Sequence, residues 1–259
     1  MNVALVTGGA RGIGAATVRR LAADGWAVVA VDACADDPAV PYTLATRADL
    51  DEVVAGGDKV VGVVGDVRSP GAMAEAVATA TQRFGGLDAV VAAAGVLVGG
   101  PPAWRLSEEA WSVQLDVNLT GVWRLATAAV PALLARPEPR QGRFVAISSA
   151  AGIRALPQLA AYAASKHGVI GLTSSLAAEL GPHGVTANIV CPGSTATRML
   201  DASAAVYDLT STEEFARYHE LGRLLEPDEV AAAVAFLCRP EASGITGAVI
   251  PVDAGMSAT

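Results

Sequence analysis

The sequence predicts a doubly wound α/β protein, with one parallel sheet of seven strands and helices on both of its faces. Seven short runs rich in Val, Ile and Ala mostly lack polar alternation, as strands covered on both sides do. Helical patterns fill the intervals between them, and strand alternating with helix implies parallel strands joined by right-handed crossovers. Composition agrees: 52% of residues are hydrophobic and 17% charged, with no linker-like segment, so residues 1–259 read as one domain.

In chain order, the first run is VALVT (3–7), which passes into the glycine-rich TGGARGIG (7–14) at the start of a helix. WAVVAVD (26–32) is the second run and ends on Asp32. Residues 33–54 then carry Pro38, Pro41 and several aspartates, which predicts an ordered loop before a short helix. After KVVGVVGD (59–66), a helix is expected with Ser69 as its cap, Pro70 at its first position and Gly85 and Gly86 at its end. LDAVVAAAG (87–95) precedes a long helix from about 107 to 135, and GRFVAISS (142–149) precedes a helix over 160–180 that stops at Gly181 and Pro182. GVTANIVCPG (184–193) leads into a segment, 194–225, that reads as a substrate lid bearing Met199, Leu200, Tyr207, Phe215 and Tyr218. TGAVIPVD (246–253) is the last strand.

A formal charge of −8 argues against a nucleic-acid partner or an anionic membrane surface. Cys34, Cys191 and Cys238 lack metal-ligand spacing, as do the three histidines, so no metal site is expected and reduced thiols in a cytoplasmic setting are. The N-terminus reads as a strand rather than a signal peptide. No run of 18 uninterrupted apolar residues predicts a membrane span.

Ligands of doubly wound sheets bind past the carboxyl ends of the strands. There, Gly8, Gly12 and Gly14 allow a tight turn and close approach of a pyrophosphate to a helix N-terminus. Asp32, 18 positions after Gly14, is placed to accept hydrogen bonds from an adenosine ribose and to repel a 2′-phosphate. Arg11 points the other way, toward a 2′-phosphate; Asp32 is favoured, and with it NAD. In AAYAASKHGV, Tyr162 and Lys166 stand four apart and so share one helix face. Taken alone they read first as an amphipathic residue beside a solvated charge.

TGGARGIG, YAASK, ISSAAG and CPGSTAT together resemble the short-chain dehydrogenase/reductase family over essentially the whole chain. The resemblance implies a Rossmann-like domain that binds NAD and moves hydride between it and an alcohol or ketone. It implies Tyr162 as catalytic acid/base, Lys166 as its activator and a ribose ligand, Ser149 as the group holding substrate oxygen, and Asn118 as support for a water and proton relay. The implied cofactor set comprises the turn of Gly8, Arg11, Gly12, Ile13 and Gly14, then Asp32, then Asp66 and Val67 at the adenine. Ala94 and Gly95 follow, and Pro192, Gly193, Thr195 and Thr197 lie at the nicotinamide, with Tyr162 and Lys166 beside them. A phenol with a pKa of about 10 is a poor base at neutral pH, and a neighbouring ammonium and an oxidised nicotinamide are expected to lower it.

Two stretches depart from the family pattern. NNAG reads AAAG, Ala92 to Gly95, which removes side-chain hydrogen bonds and puts local stability in question. The interval 33–54 is long and resembles the insertion of the mycofactocin-associated subgroup, which implies tightly held NAD recycled in place by an external redox carrier; the plainer alternative is a variable surface loop. The family also implies a homotetramer, with the helices of 107–135 and 160–180 offering faces for a two-fold contact. The lid holds no arginine pair suited to an anionic substrate, which favours an apolar alcohol; the same residues equally suit a dimer interface or core. An NAD-binding regulator without turnover is the competing class, and an extended-family epimerase or dehydratase lacks the residues for its substrate domain.

Overall fold

The computed structural model describes residues 1–55 and 57–258. Its seven strands are β1 (Val3–Thr7), β2 (Ala27–Asp32), β3 (Val60–Val64), β4 (Ala89–Ala92), β5 (Gly142–Ile147), β6 (Val185–Pro192) and β7 (Val249–Val252). They form one sheet in the order β3-β2-β1-β4-β5-β6-β7, and each neighbouring pair is parallel. The chain winds outward from β1 to β3, then returns to β4 and winds the other way. The crevice between the carboxyl ends of β1 and β4 is therefore the topological switch point.

The helices are α1 (Gly12–Ala23), α2 (Arg47–Val54), α3 (Pro70–Phe84), α4 (Glu108–Leu115), α5 (Gly121–Leu134), α6 (Ala160–Leu180), α7 (Arg198–Val206) and α8 (Pro227–Cys238). Successive residues of a strand face opposite sides, so Val3 and Leu5 of β1 enter one core with Met73, Leu125, Phe144 and Val169. Ala4 and Val6 enter the other with Val18, Leu21, Val234 and Leu237.

Local signals set several boundaries. Ser69 accepts a hydrogen bond from the backbone N–H of Ala72, Pro70 opens α3, and Gly85 ends it at φ 84°. The short helix expected after residue 46 is α2, held by a reciprocal cap between Thr46 and Asp49. β4 is shorter than the apolar run 87–95, because Ala93 and Ala94 turn their N–H groups to the Thr7 hydroxyl at 3.2 and 3.4 Å. Thr7 thus supplies an acceptor to the AAAG stretch.

The long helix of 107–135 is observed as α4 and α5 joined by a π-helical turn, Asp116–Thr120. Among the described residues, the stretch Glu108–Leu134 is the one helix long and apolar enough to cross a membrane. In this fold one of its faces, Val122, Leu125, Ala129 and Leu133, is buried in the core.

Candidate functional site

A cavity of about 1190 Å³ opens past the carboxyl ends of the strands, large for a single small ligand. Its lining runs from Gly12 and Asp32 through Asp66 and Gly95 to Ser149, Tyr162, Lys166 and Thr197.

At one end lies the turn after β1. Gly8 has φ +66°, and a Cβ there would stand 2.8 Å from the backbone of Ala94. A Cβ on Gly14 would stand 1.9 Å from the carbonyl oxygen of Gly8, so the first turn of α1 folds directly onto the end of β1. Arg11 stands at the N-cap of α1 and makes no capping hydrogen bond with its side chain, which leaves the first N–H groups of the helix without a side-chain acceptor. Such a terminus favours an anion. Asp32 closes β2, its carboxylate oriented by the N–H groups of Ala10 (3.1 Å) and Cys34 (3.3 Å).

Arg11 lies in the same turn. Its guanidinium is committed to Asp49 at 2.7 Å and to the carbonyl of Leu44 at 2.7 Å, so it ties the turn to residues 33–54 instead of standing free for a 2′-phosphate. The hydrogen bond from Arg11 holds Asp49 well below the usual carboxylate range. Asp66 is likewise engaged: Arg68 donates to it through Nε and Nη2 and reaches Asp37 through Nη1 at 2.7 Å. Burial acts to raise the Asp66 carboxyl, and the Arg68 hydrogen bonds and charge outweigh it and hold it low.

At the other end, Tyr162 and Lys166 project from α6 into the cavity, both buried, with the ammonium 5.6 Å from the centre of the phenol ring. Lys166 donates to the carbonyl of Ile147, the last residue of β5, at 3.0 Å. Ser148 and Ser149 both line the cavity: Ser149 accepts from the N–H of Ala151, and the hydroxyl of Ser148 is engaged as donor to the carbonyl of Lys166. The Tyr162 hydroxyl faces the sulfur of Met199 at 3.9 Å.

The expected lowering of the phenol is reversed in the protein alone. Burial pushes Tyr162 up to about 12, against a smaller pull downward from the Ser149 hydroxyl. Burial also brings Lys166 down to about 8. The cause is common to both: withdrawal from water penalises each charged form.

Of the residues singled out in the sequence, Gly8, Arg11 to Gly14, Asp32, Asp66, Val67, Ala94, Gly95, Ser149, Tyr162, Lys166, Pro192, Gly193, Thr195 and Thr197 all line the cavity. Asn118 lies behind it, fully buried in the π turn. Its amide accepts from the N–H of Val96 (2.8 Å) and donates to the carbonyl of Val96 (2.9 Å) and to Ser165 (3.1 Å). A Cβ on Gly95 would meet both Asn118 Oδ1, at 3.3 Å, and Lys166 Nζ, at 3.4 Å, so the floor beside the ammonium is open because residue 95 has no side chain.

Sequence reasoning missed Tyr42, Leu97, Leu156, Leu159 and Arg68, all in the lining. Arg68 stands two residues after Asp66, a spacing that permits the observed side-chain pairing; nothing local marks the others. Leu97, Leu156, Leu159, Met199, Val206 and Tyr207 form an apolar cluster with Tyr162. Leu200 and Phe215 of the expected lid pack together nearby, while Tyr218 is exposed and hydrogen-bonded to Arg217.

The residues fit a dinucleotide. An uncapped helix terminus behind a glycine turn suits the pyrophosphate, an oriented carboxylate at the end of β2 suits the ribose, and the side-chain-free floor at Gly95 leads to Lys166.

A family model described as enoyl-(acyl carrier protein) reductase matches residues 8–257. The chain is 38% identical to an uncharacterized NAD-dependent oxidoreductase of Mycobacterium tuberculosis over 98% of its own length and 95% of that protein. It is 37% identical to (−)-trans-carveol dehydrogenase of Rhodococcus erythropolis over 98% of this chain and 96% of that one. The crystal structure of carveol dehydrogenase from Mycobacterium avium in complex with NAD superposes with a TM-score of 0.93 at 34% identity, covering 100% of this chain and 98% of that one.

Proposed function

The chain belongs to the short-chain dehydrogenase/reductase family of NAD-dependent oxidoreductases, and on that footing we propose that it moves hydride between an apolar secondary alcohol or ketone and NAD, with residues 1–259 as a single catalytic domain. The observation that carries the reading is one cavity with the glycine turn and Asp32 at one end and Ser149, Tyr162 and Lys166 at the other.

The turn of Gly8 to Gly14 would hold the pyrophosphate, Asp32 the adenosine ribose, Lys166 the second ribose, and Pro192 to Thr197 the carboxamide. NAD, when bound, supplies the hydride acceptor and, in its oxidised form, a positive charge beside the phenol. Tyr162 Oη takes the hydroxyl proton of the alcohol as the carbon–hydrogen bond gives up its electron pair, and returns it in the reverse direction. Ser149 Oγ donates a hydrogen bond to the substrate oxygen as negative charge develops there. Lys166, held on Ile147, keeps a positive charge near the phenolate, and Asn118 fixes Val96 and Ser165 around it. Because burial favours the neutral phenol, Tyr162 is a ready proton donor for ketone reduction and depends on added positive charge to act as a base.

The apolar cluster around Tyr162 supports an apolar substrate, and the carveol dehydrogenases among the relatives support a cyclic alcohol as the first to assay. Asp32 supports NAD over its 2′-phosphorylated form, the more so because Arg11 is paired within the protein. Asp32→Ala is expected to raise affinity for NADP relative to NAD by about tenfold, read by titration of both dinucleotides. A fixed preference removes the ribose role.

Residues 33–54 are tied to the adenosine end by Arg11 to Asp49 and by Arg68 to Asp37. This supports tightly held NAD, recycled in place by an external redox carrier such as mycofactocin. Desalted protein is then expected to contain NAD at near one per chain and to oxidise carveol with an artificial electron acceptor. Rapid turnover on freely exchanging NAD contradicts it. A homotetramer through α4, α5 and α6 belongs to the same reading, as does a reducing cytoplasmic setting, supported by the unpaired Cys34, Cys191 and Cys238.

A further inference from the structure

The loop that leaves β4 is held in an unusual way. Val96, Leu97 and Val98 direct three consecutive backbone N–H groups to three side chains: Asn118 Oδ1 (2.8 Å), Tyr42 Oη (3.0 Å) and Gln114 Oε1 (3.0 Å). Asn118 and Gln114 come from the helix beneath. Tyr42 comes from the inserted segment, 55 residues away along the chain.

The segment is also packed there. Ala39, Val40, Tyr42 and Leu44 form one apolar cluster with Val96 and Val98 of the loop and with Val113 and Val117 of the helix. Leu97, whose N–H Tyr42 accepts, is almost fully buried, lines the cavity and belongs to the apolar cluster that holds Tyr162, Leu159 and Met199. A chain of direct contacts thus runs from the insertion to the wall of the substrate pocket, at the end of the cavity opposite the Arg11 and Arg68 ion pairs.

We infer that Tyr42 is a positioning residue for the substrate end of the site: its hydroxyl sets the place of Leu97, and through Leu97 the shape of the pocket beside Tyr162. The inserted segment then acts on substrate fit as well as on dinucleotide retention. The inference rests on the alcohol dehydrogenase reading for its kinetic consequence, though not for the hydrogen bond. Phenylalanine at position 42 keeps the ring in the apolar cluster and removes only the acceptor, leaving the N–H of the buried Leu97 without its side-chain partner. An unpaired buried donor of this kind corresponds to a change of about tenfold in a local equilibrium.

The test has two arms. In amide hydrogen exchange, Tyr42→Phe is expected to speed exchange at Leu97 by about tenfold and to leave Val96 and Val98, held by Asn118 and Gln114, unchanged. In steady-state kinetics with carveol and cyclohexanol as probes, the variant is expected to raise KM for carveol by about tenfold, with kcat within about twofold and NAD content unchanged. In a Leu97→Ala background the same substitution is expected to shift KM by less than about twofold, since the side chain that transmits the effect is gone. Unchanged exchange at Leu97, or equal loss of protection at all three amides, overturns the inference. So does a KM that stays fixed, or one that shifts equally with and without the Leu97 side chain. If the native protein oxidises neither alcohol, the proposed function falls, and the exchange arm still decides whether Tyr42 holds Leu97.

Discussion

Replacing Tyr162 by Phe is expected to slow hydride transfer by about 10²- to 10⁴-fold while leaving NAD binding intact, because the substitution removes the proposed proton acceptor and little else. The ring sits in an apolar cluster with Leu97, Leu159 and Ala151, which Phe fills equally well. The hydroxyl faces only a thioether at 3.9 Å and the neighbouring serine, so its loss leaves no strongly bonded partner stranded. Single-turnover measurement of reduced dinucleotide at several pH values checks this. In alcohol oxidation the native rate is expected to rise with pH, since the base must be deprotonated, and that rise is expected to vanish in the variant. A variant that keeps more than about a tenth of the native rate removes Tyr162 from the role.

Gly14→Ala is expected to abolish dinucleotide binding. The added methyl would lie 1.9 Å from the Gly8 carbonyl oxygen, a backbone atom that cannot swing aside as a side-chain tip can. Relief requires α1 to move off the end of β1, and that contact shapes the turn. Overpacking of this sort costs about 1–3 kcal/mol in stability and displaces the N–H groups that would meet the pyrophosphate. Gly171→Ala is the matched control, since a methyl there meets nothing within 4 Å and the site lies within α6. Calorimetric titration with NAD and thermal unfolding of both variants separate the cases. Retained affinity in Gly14→Ala would show that the turn does not set the phosphate site.

How far the sequence reveals this molecule follows from the range of each signal. Strand cores, the cap at Ser69 and the stop at Gly85 depend on neighbours within a few residues, so local pattern suffices for them. Tyr162 and Lys166 are one helical turn apart, and their shared face follows from helix geometry alone. Pairings across the fold carry no such trace. Tyr42 meets Leu97 55 residues away, and Arg11 meets Asp49 38 residues away. Neither spacing has a period, and the arginine's commitment reverses what its place in the turn suggests. Asn118 was legible as a polar residue inside a helix, whereas the π turn that buries it and its bonds to Val96 and Ser165 depend on tertiary packing.

The direction of the Tyr162 shift was hidden for a further reason. A neighbouring lysine suggests an acidified phenol, but burial penalises both charges, so the bare site favours a neutral tyrosine beside a weakened ammonium. Activation of the phenol is therefore expected to come from the positive charge that arrives with oxidised NAD.

The most direct test is the difference in tyrosinate ultraviolet absorbance between the native protein and Tyr162→Phe, titrated with and without oxidised NAD. In dinucleotide-free protein the Tyr162 signal is expected to stay un-ionised until strongly alkaline pH, as a phenol pushed up to about 12 requires. With NAD bound, its ionisation is expected to move to lower pH, because the added positive charge favours the phenolate. Two titrations that superimpose would contradict the claim that Tyr162 becomes the base of this site.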